Sequence, residues 1–279
     1  MNEQPEAPPG IEVDRPAAAR IYDWYLGGTH NWAVDREFGK KIVELFPVMK
    51  NLAQQNREFL GRAVKAALDA GVRQFLDLGS GLPTMGNVHE IVLDHLPEDQ
   101  RASVVYVDHD PVAAAHTTLL LERQEVTDWV GFVQADFRKP RDILRNPVTR
   151  RLLDRSQPVC VLMVAVLHFV ADADRPGDLV AAYRDALAPG SLLVVSHTSV
   201  DTGDDEEAAT AELITGAYRK TNLALWLRDR AEIQTWFGDW PLVEPGLVHP
   251  PDWRPERSLK LRDRQARPFN WCGMARRPL

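Results

Sequence analysis

The chain contains little cysteine and no long hydrophobic run. Cys160 and Cys272 are its only two cysteines, and each lies in an apolar, strand-like segment, which predicts buried free thiols rather than a disulfide or a metal site. The longest apolar run, near residues 159–170, is interrupted by His168 and falls short of the roughly 18 residues that a membrane span needs. The first residues show no basic segment followed by an apolar one, so we expect no signal peptide. These absences favour a cytoplasmic protein that has no membrane partner.

A cluster of positive charge is also missing. The formal net charge is −7, and lysine and arginine are dispersed along the chain. Such a protein gains little long-range attraction to nucleic acid, so we expect no nucleic-acid partner. The locally basic stretch 254–267 is interpreted as a solvated connection between two strands. The 279 residues are enough for one large α/β domain, alone or with a small appendage, and we expect a monomer or a homodimer.

The chain before residue 51 is predicted to form a tail and a lid. Residues 1–13 are rich in proline and glutamate, which predicts disorder. Residues 14–50 contain two helical patterns, a pair of glycines between them and several aromatic side chains. This segment is a candidate lid over a ligand site, and the alternative is a helix packed on the edge of the sheet with its aromatic side chains buried. Residues 51–279 are expected to form the main domain.

From residue 74 onward, strand and helix signals alternate. Short runs of β-branched and apolar residues are separated by helical patterns and by turns rich in proline and glycine. This alternation predicts an α/β fold in which a parallel sheet carries helices on both faces. The predicted parallel strands cover residues 74–78, 103–107, 130–134, 159–164 and 191–196. Residues 241–247 and 269–275 are predicted to close the sheet as a strand pair that is antiparallel in part.

A glycine turn follows the first of these strands. The sequence runs from Asp77 through Gly79, Ser80 and Gly81 to Thr84, with a helix predicted to begin near residue 83. The two glycines lack a Cβ, so a ligand can lie against the turn and accept hydrogen bonds from backbone N–H groups. Asp77 places a carboxylate there, which would repel a phosphate and attract a cationic, amine-bearing ligand. We therefore predict that these residues bind S-adenosylmethionine rather than a nucleotide phosphate.

Two more acids end the second and third predicted strands. Asp108 is placed to accept hydrogen bonds from both ribose hydroxyls, as an acid does in dinucleotide folds. Asp136 is placed to accept from the adenine amino group, and its neighbour Phe137 is assigned to the same site. His109 is expected to pack on the adenine. The alternative for each acid is a turn or a helix cap, and Asp110, directly before a proline, is predicted to be a cap.

Taken together, these motifs resemble those of a known enzyme class. The Leu-Asp-Leu-Gly-Ser-Gly motif at 76–81, the acids at 108 and 136 and the Leu-Ala-Pro-Gly hinge at 187–190 are similar, in order, to successive motifs of the class I, Rossmann-like S-adenosylmethionine-dependent methyltransferases. Segments 20–31, 77–84 and 243–248 more closely resemble a bacterial family of S-adenosyl methyltransferases that was formerly a domain of unknown function.

This resemblance implies a seven-stranded, mostly parallel sheet with a last antiparallel strand. It also implies S-adenosylmethionine as cofactor and S-adenosylhomocysteine as product, and it implies no particular acceptor. Pro83 stands where the general class often has a third glycine. A proline in the first turn of a helix is compatible with the fold, so the departure affects only the path of the methionine tail.

Methyl transfer chiefly requires that the acceptor be aligned with the methyl group in a dry site. A general base is needed only where the acceptor must lose a proton. His168, just past the fourth strand, is the first candidate, His197 after the fifth strand is the second, and Tyr22 is a more speculative one. A structural, hydrogen-bonded role is the alternative for each histidine. No group of residues in the sequence has metal-ligand spacing.

The sequence leaves three functions open. The favoured one is a methyltransferase that acts on a small-molecule acceptor. A dehydrogenase on the same fold class is disfavoured by Asp77 before the glycines and by the hinge. A non-catalytic module that binds S-adenosylmethionine as a sensor or partner protein is the third, because no acceptor-side residue is identified by its pattern.

Overall fold

The computed structural model describes residues 14–84, 86–199, 205–219, 221 and 223–279, so the predicted disorder of residues 1–13 lies outside the described residues. The strands are β1 (Gln74–Leu78), β2 (Ser103–Asp108), β3 (Val130–Gln134), β4 (Cys160–Val164), β5 (Leu192–Thr198) and β6 (Asn270–Arg276). The helices are α1 (Ala18–Tyr25), α2 (Ala33–Leu45), α3 (Met49–Asp69), α4 (Val88–His95), α5 (Pro111–Arg123), α6 (Pro140–Arg145), α7 (Pro147–Leu152), α8 (Pro176–Asp185), α9 (Asp205–Arg219), α10 (Arg230–Thr235) and α11 (Leu261–Ala266).

The strands form one mixed sheet in the order β3-β2-β1-β4-β5-β6. The first five strands are parallel, and β6 runs antiparallel to β5, as predicted. The strand order reverses between β1 and β4, which lie side by side although β2 and β3 separate them in sequence. In open sheets of this kind, ligands bind beyond the carboxyl ends of the strands at such a reversal.

The prediction of seven strands is wrong for the described part of the chain, where the sheet has six. The segment 241–248 lies beside β6, but it makes only two isolated antiparallel bridges, Leu242 to Ala275 and Val248 to Cys272. Between these bridges, Pro245 has no N–H to donate, and Gly246 adopts φ +91°, outside the strand region. The backbone therefore leaves the sheet and returns to it instead of forming a continuous strand.

Alternate residues of the central strands pack into two hydrophobic cores, one on each face of the sheet. On one face, Leu76, Val105 and Met163 pack with side chains of the α6–α8 region. On the other face, Phe75 and Leu162 pack with α3 and α4. The period of two that predicted these strands is therefore also the pattern that fills both cores.

Helix boundaries follow local capping. The helix predicted near residue 83 begins at Val88 instead, because Asn87 and Glu90 form a capping box there. Helices α6 and α7 lie between β3 and β4, and a proline opens each of them. No helix in the described part of the chain is long and apolar enough to cross a membrane.

Candidate active site

A cavity of about 830 Å³ lies beyond the carboxyl ends of the central strands. Asp77 and Asp108 reach it from β1 and β2, and Val164 and Thr198 reach it from β4 and β5. The other side of the cavity is formed by α1, by α9 and by the first turns of α3. The cavity therefore occupies the reversal point of the sheet, where the fold places a ligand.

The glycine turn forms part of the cavity wall. The N–H groups of Gly79 and Ser80 both donate to the carbonyl of Val107, at 2.8 and 3.0 Å, which ties the turn to the end of β2. Gly79 adopts φ +69°, and a Cβ on it would lie 2.2 Å from Cγ2 of Val166. Only glycine satisfies both constraints at this position.

Asp77 is buried at the base of the turn. Burial raises the pKa of its carboxyl group to about 7, with Asp108 adding to the rise and the guanidinium of Arg57 opposing it. The charged form of a buried carboxyl group whose pKa is raised is stabilised when a cation binds beside it. The role of Asp77 beside an amine is compatible with this environment and stays a prediction.

Arg57, a residue that sequence reasoning missed, faces the same part of the cavity from α3. Its Nη2 donates to the Thr84 hydroxyl at 3.1 Å, while its Nε has no hydrogen-bond partner in the described part of the chain. The Ser80 hydroxyl oxygen is likewise buried and unpartnered there. The sequence gives no signal for Arg57, because a single cation on a helix does not stand out from the other charged residues of the chain.

Asp108 lies at the end of β2 as predicted. One of its carboxylate oxygens accepts the Gly81 N–H at 2.8 Å, and the other accepts the Asp110 N–H at 2.9 Å. Burial raises the pKa of Asp108, and these two hydrogen bonds oppose the rise. Asp110 caps α5 by accepting from the Val112 N–H at 2.8 Å, which confirms the predicted cap.

Asp136 also lines the cavity, with Phe137 beside it, but a neighbouring arginine already engages its carboxylate. Arg138 donates to it from both Nε and Nη2, at 2.7 to 3.0 Å, and from the backbone N–H at 2.9 Å. Burial alone would raise the pKa of Asp136, but these hydrogen bonds lower it. The His109 side chain is 82% exposed at the rim. The predicted adenine contacts of these residues stay predictions.

The histidines differ in their access to the cavity. His168 lines it and lies 3.4 Å from the Thr198 hydroxyl, whereas His197 is fully buried and does not form part of its wall. Burial, aided by the Arg228 guanidinium, lowers the pKa of His168 to about 3, so its ring is neutral. Arg228 also contacts His197 Nε2 at 3.2 Å. The geometry therefore gives His197 a packing position rather than a place beside a reacting group.

Tyr22 lines the cavity from α1 and is held at both sides of its hydroxyl group. It donates to the Ala53 carbonyl at 3.0 Å and accepts from Asn56 Nδ2 at 3.0 Å. Asn56 Oδ1 in turn accepts from the Ser196 hydroxyl, which itself accepts the Ala165 N–H at 2.9 Å. Burial raises the pKa of Tyr22, so its hydroxyl group is neutral.

Comparison with known proteins identifies the family. A family model described as S-adenosyl methyltransferase matches residues 4–278. The chain belongs to this S-adenosyl methyltransferase family. A solved structure of a candidate methyltransferase from Thermobifida fusca YX is similar at 36% identity, with a TM-score of 0.87 and 98% of each chain covered. A DUF574 family protein from Streptomyces avermitilis MA-4680 is similar at 32% identity and a TM-score of 0.85, over 95% of this chain and 99% of that one.

The family makes this protein an S-adenosylmethionine-dependent methyltransferase, with S-adenosylmethionine as its cofactor. An O-methyltransferase family protein from Burkholderia thailandensis shares the fold alone, at 15% identity, a TM-score of 0.51 and coverage of 78% of this chain and 55% of that one. The cavity residues of the present chain fit the cofactor. Asp77 offers a carboxylate for an ammonium group, and Arg57 and Ser80 offer buried polar atoms that have no partner in the described chain.

Proposed function

We propose that the protein transfers the methyl group of S-adenosylmethionine to a small molecule that binds in the same cavity. The observation that carries this proposal is the continuity of the cavity. It extends from the glycine turn at β1, past the ends of β4 and β5, to the side chains of α9. At about 830 Å³, it lies in the upper part of the range of roughly 300–1,000 Å³ for small-molecule sites, which leaves room for an acceptor beside the cofactor.

The cofactor residues divide between the two ends of S-adenosylmethionine. Asp77 and Arg57 lie close enough to influence each other electrostatically, and they suit the ammonium and the carboxylate of the methionine part. Asp108 suits the ribose hydroxyls, and Asp136, Phe137 and His109 suit the adenine. The backbone from Gly79 to Gly81 and the side chains of Ser80 and Thr84 complete the wall between these ends.

When bound, the cofactor supplies a methyl carbon activated by its sulfonium: the bond to the acceptor forms as the carbon–sulfur bond breaks, leaving S-adenosylhomocysteine and any proton that the acceptor loses. The protein's contribution is to orient the acceptor and exclude water. We propose that the neutral ring of His168 accepts a hydrogen bond from the methyl-accepting molecule. Tyr22 is proposed to position that molecule. His197 is not assigned a catalytic role.

Residues 14–50 are proposed to act as the lid of this site. They carry α1 and α2, which contact α9 through the Tyr25 and Tyr218 hydroxyls at 3.4 Å and through the rings of Phe38 and Tyr218 at 5.0 Å. A lid formed in this way would cover the methyl group on one side. We further propose action in the cytoplasm as a monomer or homodimer. Both cysteines are free and buried, in keeping with a reducing compartment.

Calorimetric titration and a turnover assay test this function together. We expect S-adenosylmethionine and S-adenosylhomocysteine to bind, NAD not to bind, and S-adenosylhomocysteine to accumulate with at least one member of a panel of small-molecule acceptors. The Asp77→Asn variant serves as the control for the cofactor site, since it keeps the shape of the site and removes the charge of the Asp77 carboxylate. Cofactor binding without product on any acceptor would favour the non-catalytic module. NAD binding in place of S-adenosylmethionine would favour the dehydrogenase.

A further inference from the structure

The cavity has one charged wall and one uncharged wall. The charged side chains that line the cavity lie mainly at the ends of β1 to β3 and on or beside α1, together with Arg57 of α3, and most of them have partners. Asp136 pairs with Arg138, and Arg20 pairs with Asp35 at 2.8 Å. Asp174, which follows β4 in sequence, turns back to Arg138 at 3.5 Å. The charged groups therefore gather where the cofactor is expected.

The opposite wall is built from aromatic and aliphatic side chains. Two hydrophobic clusters supply it and share Met49 and Ile214 as common members. Some of its residues come from α9, from the first turns of α3 and from the turn before α3. The others come from the segments that follow β4, α9 and α11. They are Phe46, Met49, Leu52, Ala53, Phe169, Ile214, Tyr218, Leu223, Leu225 and Phe269. We call this wall the apolar chamber.

The hydrogen-bonding groups that border the apolar chamber are neutral, and the charge that reaches Tyr22 is the guanidinium of Arg57 on the cofactor side, which opposes the effect of burial on the pKa of Tyr22. Asn56 and Tyr22 are bonded to each other, and Thr198 lies beside His168, whose ring carries no charge. Within the described residues, no aspartate, glutamate, lysine or arginine lines the chamber from α9, from 223–227 or from the ends of β4, β5 and β6. A charged acceptor placed there would lose its hydration and find no opposite charge.

We infer that the acceptor is an uncharged, mainly apolar small molecule that carries a hydroxyl or N–H group and binds in the apolar chamber. The inference rests on the proposed function, since it assigns the chamber to the acceptor rather than to structural packing. The neutral hydrogen-bonding groups lie at the edge of the chamber nearest β4 and β5. They orient the polar group of the acceptor toward the cofactor side, while the apolar part lies against α9.

Three matched phenols test the inference by binding, without any need for turnover. The protein is first saturated with S-adenosylhomocysteine and then titrated with p-propylphenol, phloretic acid or tyramine, which share a phenol and differ in carrying a neutral, an anionic or a cationic tail. We expect p-propylphenol to bind at least about tenfold more tightly than either charged probe, because the chamber offers no ion pair. Equal or tighter binding of a charged probe, or no binding of p-propylphenol, overturns the inference.

A charge placed in the chamber should reverse this preference. Ile214→Asp and Leu225→Asp are expected to favour tyramine over p-propylphenol, with the affinity for S-adenosylhomocysteine unchanged. Leu213→Asp is the matched control, since Leu213 is the neighbour of Ile214 on α9 and is 59% exposed. Two chamber variants are used so that one that fails to fold does not decide the result. If neither folded variant changes the preference, the probes bind elsewhere and the inference fails.

The probe-binding test and the turnover test can fail independently of each other. If the neutral probe binds in the chamber but no panel acceptor yields S-adenosylhomocysteine, the chamber assignment holds and the methyl-transfer proposal fails. If product forms only with charged acceptors, methyl transfer holds and the assignment of the acceptor class fails.

Discussion

Asp77 and Asp108 line the proposed cofactor site, and both hold their carboxyl groups where burial opposes a charge. The two differ in their partners. Asp108 accepts hydrogen bonds from two backbone N–H groups, whereas within the described residues the one cationic influence on Asp77 is the guanidinium of Arg57. Asp108 therefore serves the loop even without a ligand, and Asp77 gains its main compensation when a cationic ligand binds.

The role of Asp108 can be separated from that of its neighbour. We expect Asp108→Ala to weaken S-adenosylmethionine binding more than tenfold, because it removes the acceptor for the ribose and the anchor of Gly81. The matched control is Asp110→Ala, which removes only a helix cap and should cost about 1 kcal/mol of stability. Calorimetry and thermal unfolding measure the two effects. An unchanged dissociation constant for Asp108→Ala contradicts the ribose assignment.

The protonation of Asp77 predicts a pH dependence of cofactor binding. The carboxylate is the form that attracts an ammonium group, and its pKa is raised to about 7, so lowering the pH below that value protonates it and weakens binding. The ammonium of the ligand stays protonated over this range. We expect the dissociation constant to rise by up to about tenfold per pH unit between pH 7 and about pH 5. Asp77→Asn should bind weakly with little pH dependence; an equally steep profile in this variant would assign the effect to another group.

At the scale of elements, sequence reasoning predicted most of the fold because the signals were local. The cap at Asp110 is adjacent to the helix it starts, and the alternating strand residues reach both cores. Arg57 was missed because its significance depends on tertiary neighbours, and Arg138 was missed although Asp136, the carboxylate it engages, is only two residues away in sequence. Residues 241–247 were predicted as a strand because their apolar pattern does not reveal how Pro245 and Gly246 interrupt the ladder.

The contact between α1 and α2 depends on one buried ion pair. Asp35 accepts from Arg20 Nε at 2.8 Å and from the N–H groups of Ala17 and Trp32 at 3.0 and 2.9 Å, with both charged side chains nearly inaccessible to solvent. Asp35→Leu leaves the Arg20 charge buried without its carboxylate. We expect a loss of about 3–5 kcal/mol that is confined to this segment.

Hydrogen exchange tests whether that loss stays local. Amides of residues 18–45 should exchange faster in Asp35→Leu, while those of β1, β4 and β5 keep their protection. The double variant Arg20→Leu with Asp35→Leu also removes the buried cation and should regain part of the stability. Equal stability in the single and double variants would mean that the N–H groups, not the charge, dominate.

At the scale of the whole molecule, the region beyond β4 and β5 is organised around Arg228. Its guanidinium donates to the carbonyls of Leu167 and Val170 and pairs with Asp172 at 2.6 Å. His168 and His197 lie near this cation, with their rings 5.6 Å apart, and the pKa of each is lowered, chiefly by burial. The packing of this region therefore requires both histidines to be neutral.

This requirement predicts sensitivity to acid. An unfolded histidine has a pKa of about 6.5, whereas that of His168 is about 3 when folded, so between these values the unfolded state binds more protons and stability falls as the pH falls. From about pH 6.5 to about pH 5, the contribution of His168 is about 2 kcal/mol. Urea unfolding should show a correspondingly smaller loss for His168→Gln. His95→Gln, at an exposed ion pair, is the control, and an acid-induced loss equal to that of the unmodified protein would place the effect elsewhere.

The composition of the cavity wall also bears on how the protein is made. Tyr22 is synthesised early, the side chains of α9 much later, and Phe269 and Asn270 only as β6 begins, yet all of them border one space. During translation the apolar faces of α1 and α2 have no partner in α9 until more than half of the chain has emerged. We therefore expect the nascent chain to retain S-adenosylmethionine only after β6 has joined the sheet.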